Sequence, residues 1–317
     1  MKISTGPVNA AANEKIDVGH FICKERSFGG ARFFEFHDQK WFPKNLRDGV
    51  TDALQFILSS CGIYRPIVPL LNRAVDATGA ARIVDVCSGG GGPWLWLYRS
   101  LQVSNGRNIN GQSMEVCLTD KYPNIAAFEN ARRKTGGRIT FYRGFVDAAS
   151  LPRELTGFRT LFTSFHHFTP DEAVAILQNA ADDGQGIGVF EAAKRDPLTI
   201  LLTALMPLAG ILTAPFARPF RISRLFWTYV IPMIPFVLFF DGVVSCLRAY
   251  SQKELSLLAA QVKSENYAWQ IGEQSGGLAP ITFLIGYPEL ANAIAQTALT
   301  SSEPTLNGRA KKIAANQ

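Results

Sequence analysis

Residues 81–93 read ARIVDVCSGGGGP, a short apolar run that passes through Asp85 and leads into four consecutive glycines. An apolar run of this length, bounded by a glycine-rich turn, predicts a buried strand. Glycine adopts positive φ and lets the backbone approach a ligand closely. The segment that follows, PWLWLYRSLQ, predicts a helix whose N-terminus lies directly behind the glycines. This stretch therefore predicts a ligand-binding turn between a strand and a helix.

The sequence on both sides of this turn alternates between strand and helix patterns. An N-terminal helical cap is predicted, and two amphipathic helices are predicted over residues 46–79, before the first strand. The later strands are predicted as MEVCLTD, RITFYRGFVD, RTLFTSFHHF and QGIGVFEA, with a C-terminal hairpin of YAWQIGEQ and PITFLIGY. The alternation predicts an α/β fold with a doubly wound, Rossmann-like sheet of seven strands, mostly parallel. Ligands of such sheets bind beyond the carboxyl ends of the strands.

Two common nucleotide-binding turns do not fit the glycine run. A nicotinamide-binding turn requires GxGxxG, and its third glycine would fall on Trp94 or Leu95. A phosphate-binding P-loop requires a GK[ST] ending, which is absent. The glycine run is therefore not typical of a nicotinamide-binding turn or of a P-loop, and it indicates a different ligand.

The turn resembles motif I of the class I S-adenosylmethionine-dependent methyltransferases. Their D-x-G-x-G-x-G pattern aligns with Asp85, Cys87, Gly89 and Gly91, with Cys87 in place of the first glycine. The resemblance covers about residues 46–195 and 242–288. It implies a methyltransferase that uses S-adenosylmethionine, with a seventh strand that runs antiparallel in the sheet.

The resemblance also implies which residues bind the cofactor. Asp120 ends the second strand, where the family has an acid for the ribose hydroxyls, and a carboxylate can accept from both. Asp147 matches the family's acid near the adenine amino group, with Phe145 or Val146 beside the ring. As alternatives, Asp120 only begins a loop and Asp147 only caps a turn. The implied cofactor-binding set is Asp85, Cys87, Ser88, Gly89, Gly90, Gly91, Asp120, Lys121, Val146, Asp147 and Phe165.

His166, His167 and Glu191 are the candidate catalytic residues, because they follow or end the fourth and fifth strands. Methyl transfer from a sulfonium has a neutral leaving group, so a base is needed only when the nucleophile carries a proton of high pKa. The protein must also align the reacting atoms and exclude water. Either histidine could instead have a packing role. No metal site is predicted.

An apolar insertion follows the fifth strand. From Pro197 to Phe240 the only charged residues are Arg218, Arg221 and Arg224, which lie between two apolar runs. The segment can be interpreted as a pair of transmembrane helices, as a hairpin that dips into one leaflet, or as a lid or dimer surface. Two full spans would place the arginines on the far side from a cytosolic domain, against the positive-inside rule. Because the insertion follows a strand's carboxyl end, we expect it beside the active site.

Composition excludes several other classes of protein. The chain has 32 basic and 26 acidic residues in 317, and a net charge of +6 is too mild for strong nucleic-acid binding. Five cysteines without a CxxC pair exclude a disulfide scaffold. The first 20 residues lack the apolar core of a signal peptide. The sequence thus predicts a cytoplasmic protein, with the insertion contacting either the cytoplasmic face of a membrane or a second subunit.

The predicted function is methyl transfer from S-adenosylmethionine to a hydrophobic small-molecule or lipid-like substrate, with the acceptor atom left open. One alternative is methylation of a small volatile nucleophile such as a thiol, with the insertion as a lid. Another is a non-catalytic methyltransferase fold that serves as a membrane adaptor. The predicted units are an N-terminal arm or cap (1–45), the methyltransferase core (46–196 and 241–288), the insertion (197–240) and a polar tail (289–317).

Overall fold

A central sheet organises the structure, a computed structural model that describes residues 33–104, 114–277 and 279–289. Its strands are β1 Arg82–Asp85, β2 Glu115–Leu118, β3 Ile139–Phe141, β4 Phe158–Phe162, β5 Ile187–Glu191, β6 Tyr267–Gln274 and β7 Ile281–Pro288. They lie in the order β3-β2-β1-β4-β5-β7-β6. The first five are parallel, and β7 is antiparallel to both β5 and β6. The predicted fold class is confirmed, and this is the sheet that the resemblance to the methyltransferases implies.

The helices begin and end largely where the local sequence signals predict. They are α1 Lys44–Ser60, α2 Val68–Thr78, α3 Trp94–Ser104, α4 Ile125–Lys134, α5 Pro170–Asp182, α6 Pro197–Ala204, α7 Met206–Thr213, α8 Ile222–Leu225, α9 Met233–Arg248 and α10 Gln252–Ala259. Thr169 and Ser251 form the capping boxes that begin α5 and α10. Gly79, with φ of 62°, ends α2. These positions confirm the predicted helices of the core.

Helices cover both faces of the sheet. On one face α2, α3 and α4 pack against the strands through a buried cluster that includes Leu71, Trp94 and Phe128. On the other face α5 and α10 do so through a second cluster that includes Leu177 and Leu258. The carboxyl ends of the parallel strands are left for α1 and the insertion to cover.

Two predicted strands end earlier than expected. β3 stops at Phe141, because the amide of Val146 then bonds the carbonyl of Asp120 at 3.1 Å and carries the chain across the end of β2. β4 stops at Phe162, where Thr163 adopts a positive φ of 43°. A 3₁₀ turn, Phe165–His167, follows. The histidine pair therefore lies on a turn beyond the strand.

The insertion consists of α6, α7, α8, a π-helix at Phe226–Val230, and α9. α9 continues past the predicted boundary at residue 240 to Arg248, so insertion and core share one helix. Among the described residues, no helix alone has the length and apolar composition of a membrane span; two sharply bent helix pairs, 44–60 with 65–78 and 222–230 with 233–248, meet those criteria jointly. Of the predicted N-terminal arm and polar tail, residues 1–32 and 290–317 lie outside the described residues.

The arginines of the insertion bind the core through Asp52 of α1. Arg221 donates from Nε to Asp52 Oδ2 at 2.8 Å, and Arg224 donates from Nη1 to the same oxygen at 3.0 Å. Arg224 is fully buried and also donates to three backbone carbonyls of its own segment. If the insertion formed two full membrane spans, a bilayer would separate these arginines from α1. Their hydrogen bonds to Asp52 contradict this, so the interpretation of the insertion as a pair of transmembrane helices is wrong.

We expect Asp52→Ala to lower the free energy of unfolding by about 3–5 kcal/mol, because it leaves two arginines without their shared carboxylate. Urea unfolding followed by circular dichroism measures the change. The matched control is Glu129→Ala, whose partners Arg132 and Arg143 are exposed and which should cost less than about 1 kcal/mol. Equal losses in the two variants would mean that the insertion is held by its apolar packing alone.

Candidate active site

A cavity of about 800 Å³ lies at the carboxyl ends of the parallel strands. The glycine-rich turn and Asp120 line one side, His166 and His167 line another, and α6, α7 and α9 of the insertion form a third. Both the volume and the position are typical of a ligand site in a doubly wound sheet. The insertion thus lies beside the site, as its place after β5 predicts.

The glycine-rich turn keeps the conformation that motif I requires although its first glycine is replaced. Cys87 adopts a positive φ of 59°, a conformation that residues other than glycine rarely adopt. Gly90 is required for a different reason. A Cβ there would lie 2.5 Å from the carbonyl oxygen of Thr51, so only glycine lets α1 pack on the turn.

Asp85 supports the turn from below rather than lining the cavity. Its Oδ1 accepts from the Thr160 hydroxyl at 2.7 Å, and its Oδ2 accepts from the Ser88 hydroxyl at 2.6 Å. Burial raises the pKa of Asp85 to about 7 in spite of these hydrogen bonds. Its role in the structure is to hold the turn in shape.

Asp120 connects the end of β2 to the turn and faces the cavity. Its Oδ2 accepts from the amide of Gly89 at 2.7 Å, and its Oδ1 accepts from the amide of Tyr122 at 2.7 Å. Burial raises the pKa of Asp120, while these two amides lower it. Each carboxylate oxygen has a second lone pair, so the side chain can still accept from a ligand hydroxyl.

The structure brings about half of the predicted cofactor residues together at the cavity. Those that line it are Cys87, Ser88, Gly89, Gly90, Asp120 and Lys121. Those that do not are Asp85, Gly91, Val146, Asp147 and Phe165. Asp147 is exposed and accepts from the amide of Ala149 at 2.9 Å, the turn-capping arrangement that the sequence left open. Val146 and Phe165 are buried in the packing below.

Two of the candidate catalytic residues form one buried pair. His166 Nδ1 lies 2.8 Å from Glu191 Oε2, and the other carboxylate oxygen accepts from the amides of Ser164 and Phe165. Burial by itself raises the pKa of Glu191, but the neighbouring His166 outweighs it and holds that pKa below its usual range. An ionised Glu191 accepts a hydrogen bond from Nδ1–H of His166, and Nε2 is then the nitrogen that carries the lone pair in the neutral ring.

His167 belongs to a network of ion pairs that sequence reasoning missed and that shares Glu35 with His166. Its Nδ1 lies 2.8 Å from Asp38 Oδ1 and 3.2 Å from Glu35 Oε2. Arg248 of α9 donates to the His167 carbonyl at 2.7 Å, and its Nη1 lies 2.7 Å from Asp38 and 3.2 Å from Glu35. Burial alone lowers the pKa of His167, but the two carboxylates outweigh it and raise that pKa to about 9. No local pattern signals this network, because its members lie on three distant segments.

Residues 33–42 form a strap over the cavity, held mainly by α9. Asp241 accepts from the amides of Phe36 and His37 at 2.9 and 3.2 Å. The rings of Phe34 and Phe36 pack against Phe240. The aromatic side chains of the strap thus pack locally, and the strap covers the site.

Glu35, His166 and His167 hold three donor atoms within 4.8 Å of one another, a spacing that could suit a metal ion. The Arg248 guanidinium, however, already lies 3.2 Å from Glu35 Oε1 and supplies positive charge there. His167 binds its proton tightly, and a metal would have to displace it. We therefore assign the cluster to ion pairing between the strap, the turn and α9.

The stabilising effect of His167 is expected to disappear between pH 6.5 and 9. The folded protein keeps the His167 proton up to about pH 9, whereas the unfolded chain releases it near 6.5. The contribution is thus complete below pH 6.5 and is lost as pH rises through 9, a difference of about 3 kcal/mol. Urea unfolding of the wild type and His167→Gln measures it. A wild-type advantage that is equal below pH 6.5 and above pH 9 would contradict the ion pairing.

No known family model matches the sequence, and neither does any curated protein. Among solved structures, the pyocyanin biosynthetic protein PhzM aligns with 73% of this chain and 56% of its own, at 13% identity and a TM-score of 0.44. PigF with SAH aligns with 79% of this chain and 62% of its own, at 17% identity and a TM-score of 0.41. The mitomycin 7-O-methyltransferase MmcR aligns with 86% of this chain and 66% of its own, at 14% identity and a TM-score of 0.43. The chain spans less than two thirds of each of these proteins. The sheet order, rather than these distant matches, carries the fold assignment.

Proposed function

We propose that the protein transfers a methyl group from S-adenosylmethionine to a hydroxyl group of an apolar small molecule. One observation carries the proposal: a single cavity joins the glycine-rich turn and Asp120 to His166, which is paired with Glu191. The first group suits a nucleoside cofactor, and the second suits the removal of a proton. The insertion supplies apolar side chains to the wall of the same cavity.

The cofactor end of the cavity offers a carboxylate and a close-approaching backbone. Asp120 would accept from the ribose hydroxyls, and Ser88, Gly89 and Gly90 would line the amino-acid end. Asp120 suits this task because hydrogen bonds from two backbone amides already hold its carboxylate in place. Bound S-adenosylmethionine would supply an electrophilic methyl group on a positively charged sulfur.

His166 would accept the hydroxyl proton at Nε2. The resulting imidazolium would lie between Glu191, 2.8 Å from Nδ1, and Glu35, whose Oε1 is 3.8 Å from Nε2. The ring would thus have a carboxylate beside each of its two nitrogens. A thiol acceptor loses its proton with little help, so this pair favours a hydroxyl over the thiol alternative.

The acceptor end of the cavity is apolar. Side chains from α1 and from the insertion line it together, among them Leu54, Leu58, Leu202, Met206, Val237 and Leu238. Such walls select an apolar molecule and exclude water from the reacting atoms. We propose a hydrophobic hydroxyl compound, with the insertion as the wall that recognises it.

The test is incubation of the full chain with radiolabelled methyl donor and a cell extract, partitioned into aqueous, organic and headspace fractions. Label in the organic phase that survives desulfurisation with Raney nickel supports the proposal, and label in the headspace would favour the volatile thiol. Calorimetric titration with S-adenosylhomocysteine separates both from the adaptor alternative. Absence of binding at high micromolar ligand would overturn the enzyme assignment.

A further inference from the structure

The outer face of α6 and α7 carries an exposed stripe of leucines. Leu198, Leu201, Leu205, Leu208 and Leu212 recur at spacings of three and four residues, which places them on one side of a helix. They are between 49% and 72% exposed. We call these five residues the leucine stripe.

The apolar surface continues over the rest of the insertion. Phe216, Ile222, Phe226 and Val230 are between 42% and 77% exposed. Among the described residues, nearly all large hydrophobic side chains that are exposed belong to the insertion. Exposed apolar surface on this scale marks an interaction site rather than ordinary protein surface.

We call three exposed cations the cationic group: Arg99, Lys134 and Arg218. Arg218 lies in the insertion between the exposed Phe216 and Phe220, Arg99 lies on α3, and Lys134 ends α4. Burial, together with the positive charges of Arg218 and Arg99, lowers the pKa of Lys134. From Pro197 to Phe240 there is no acidic residue to neutralise them.

We propose that the outer face of the insertion docks on a membrane surface that contains anionic lipid. The leucine stripe would enter the acyl region, and the cationic group would lie at the headgroups. This deepens the proposed function, because it names the membrane as the source of the apolar substrate. Docking itself does not depend on catalysis.

The charge pattern favours lipid over a second copy of the chain. Helices that pair through a leucine seam use flanking charges to set partner and register, and α6 and α7 carry none. A second copy would bring the same unneutralised cations and no acidic complement along the insertion. An anionic bilayer supplies both the apolar phase and the missing negative charge.

The same helices connect the outer face to the cavity. Leu205 is 49% exposed and also lines the cavity, and Leu202 and Met206 line it from the inner side. One layer of helix thus separates a docked bilayer from the acceptor end of the site. An apolar substrate could enter through this layer without crossing water.

The test is co-sedimentation of the full chain with vesicles of phosphatidylcholine, alone or mixed with phosphatidylglycerol. We expect strong recovery with the mixed vesicles and weaker recovery with phosphatidylcholine alone. Lys134→Gln combined with Arg218→Gln should lower partitioning to the mixed vesicles by about 30-fold. Leu201→Gln combined with Leu212→Gln should lower recovery with the mixed vesicles and with the vesicles of phosphatidylcholine alone.

The matched control is Lys253→Gln combined with Lys263→Gln. These lysines are exposed on and after α10, which packs on the opposite face of the sheet from α4, so this variant should bind vesicles like the wild type. Undiminished binding of S-adenosylhomocysteine by each variant shows that it is folded and that the cofactor site is independent of docking. Equal recovery with and without anionic lipid, no recovery at all, or a stable dimer in light scattering that the leucine variant abolishes would each overturn the proposal.

Discussion

Gly90→Ala is expected to weaken binding of S-adenosylhomocysteine by about 100-fold or more. The added Cβ would lie 2.5 Å from the Thr51 carbonyl oxygen and 2.8 Å from its carbon. These are backbone atoms of α1, which the ion pairs of Asp52 hold in place, so the glycine-rich turn must move instead. A displaced turn that loses about two backbone hydrogen bonds to the ligand, each worth roughly 1–1.5 kcal/mol, weakens binding on the order of 100-fold.

Calorimetry on the purified variant measures this loss directly. The matched control is Gly277→Ala, where the nearest atoms to a new Cβ are 3.6 Å away, an ordinary contact. Circular dichroism should show that both variants keep the fold. If Gly90→Ala bound the ligand as well as Gly277→Ala does, the glycine-rich turn would not form the cofactor site.

His166→Ala is expected to lower kcat by about 100- to 10,000-fold, the range for loss of a general base. Cofactor affinity should be unchanged, because His166 pairs with Glu191 on the side of the cavity away from Asp120. Single-turnover methyl transfer to the acceptor fraction, together with calorimetry, separates the two quantities. Raising the pH should partly restore the rate of the variant, since hydroxide can then deprotonate the acceptor.

His167→Gln is the comparison for this prediction, because it removes the neighbouring imidazole without touching the pair with Glu191. Below pH 6.5 its main effect should be on stability, with kcat lowered by less than about tenfold. Glu191→Gln should act through His166, as a positioning residue, and move the acidic limb of the pH–rate profile. An equal loss of kcat in His166→Ala and His167→Gln would contradict the assignment of His166 as the base.

Much of the proposed cofactor half of the candidate site could be predicted from local sequence. The strand before Asp85, the glycines after it and the acid at Asp120 follow one another in a fixed order along the chain, although Asp120 contacts Gly89 from 31 residues away. Even the replacement by Cys87 did not disturb the prediction, because the structure holds that residue at positive φ. Asp85 was assigned to the ligand but supports the turn, since hydrogen bonds to Thr160 and Ser88 take up its carboxylate.

The acceptor half could be predicted only in part. Proximity of His166 to Glu191 follows from adjacent parallel strands, whose carboxyl ends meet at one edge. The contacts of His167 with Asp38 and Arg248 could not be predicted in this way, because Arg248 and Asp38 are 210 residues apart in the chain. Nothing in either segment indicates its partner.

The order of strands and helices along the chain, the glycine-rich turn and the apolar character of the insertion follow from local sequence. These features depend on hydrophobic periodicity, capping and backbone freedom, which act over a few residues. The partners of the insertion's charges depend on the folded chain, because Arg224 binds Asp52, 172 residues away. A buried charge must be paired to avoid the cost of desolvation, and the chain has to close on itself before that pairing exists.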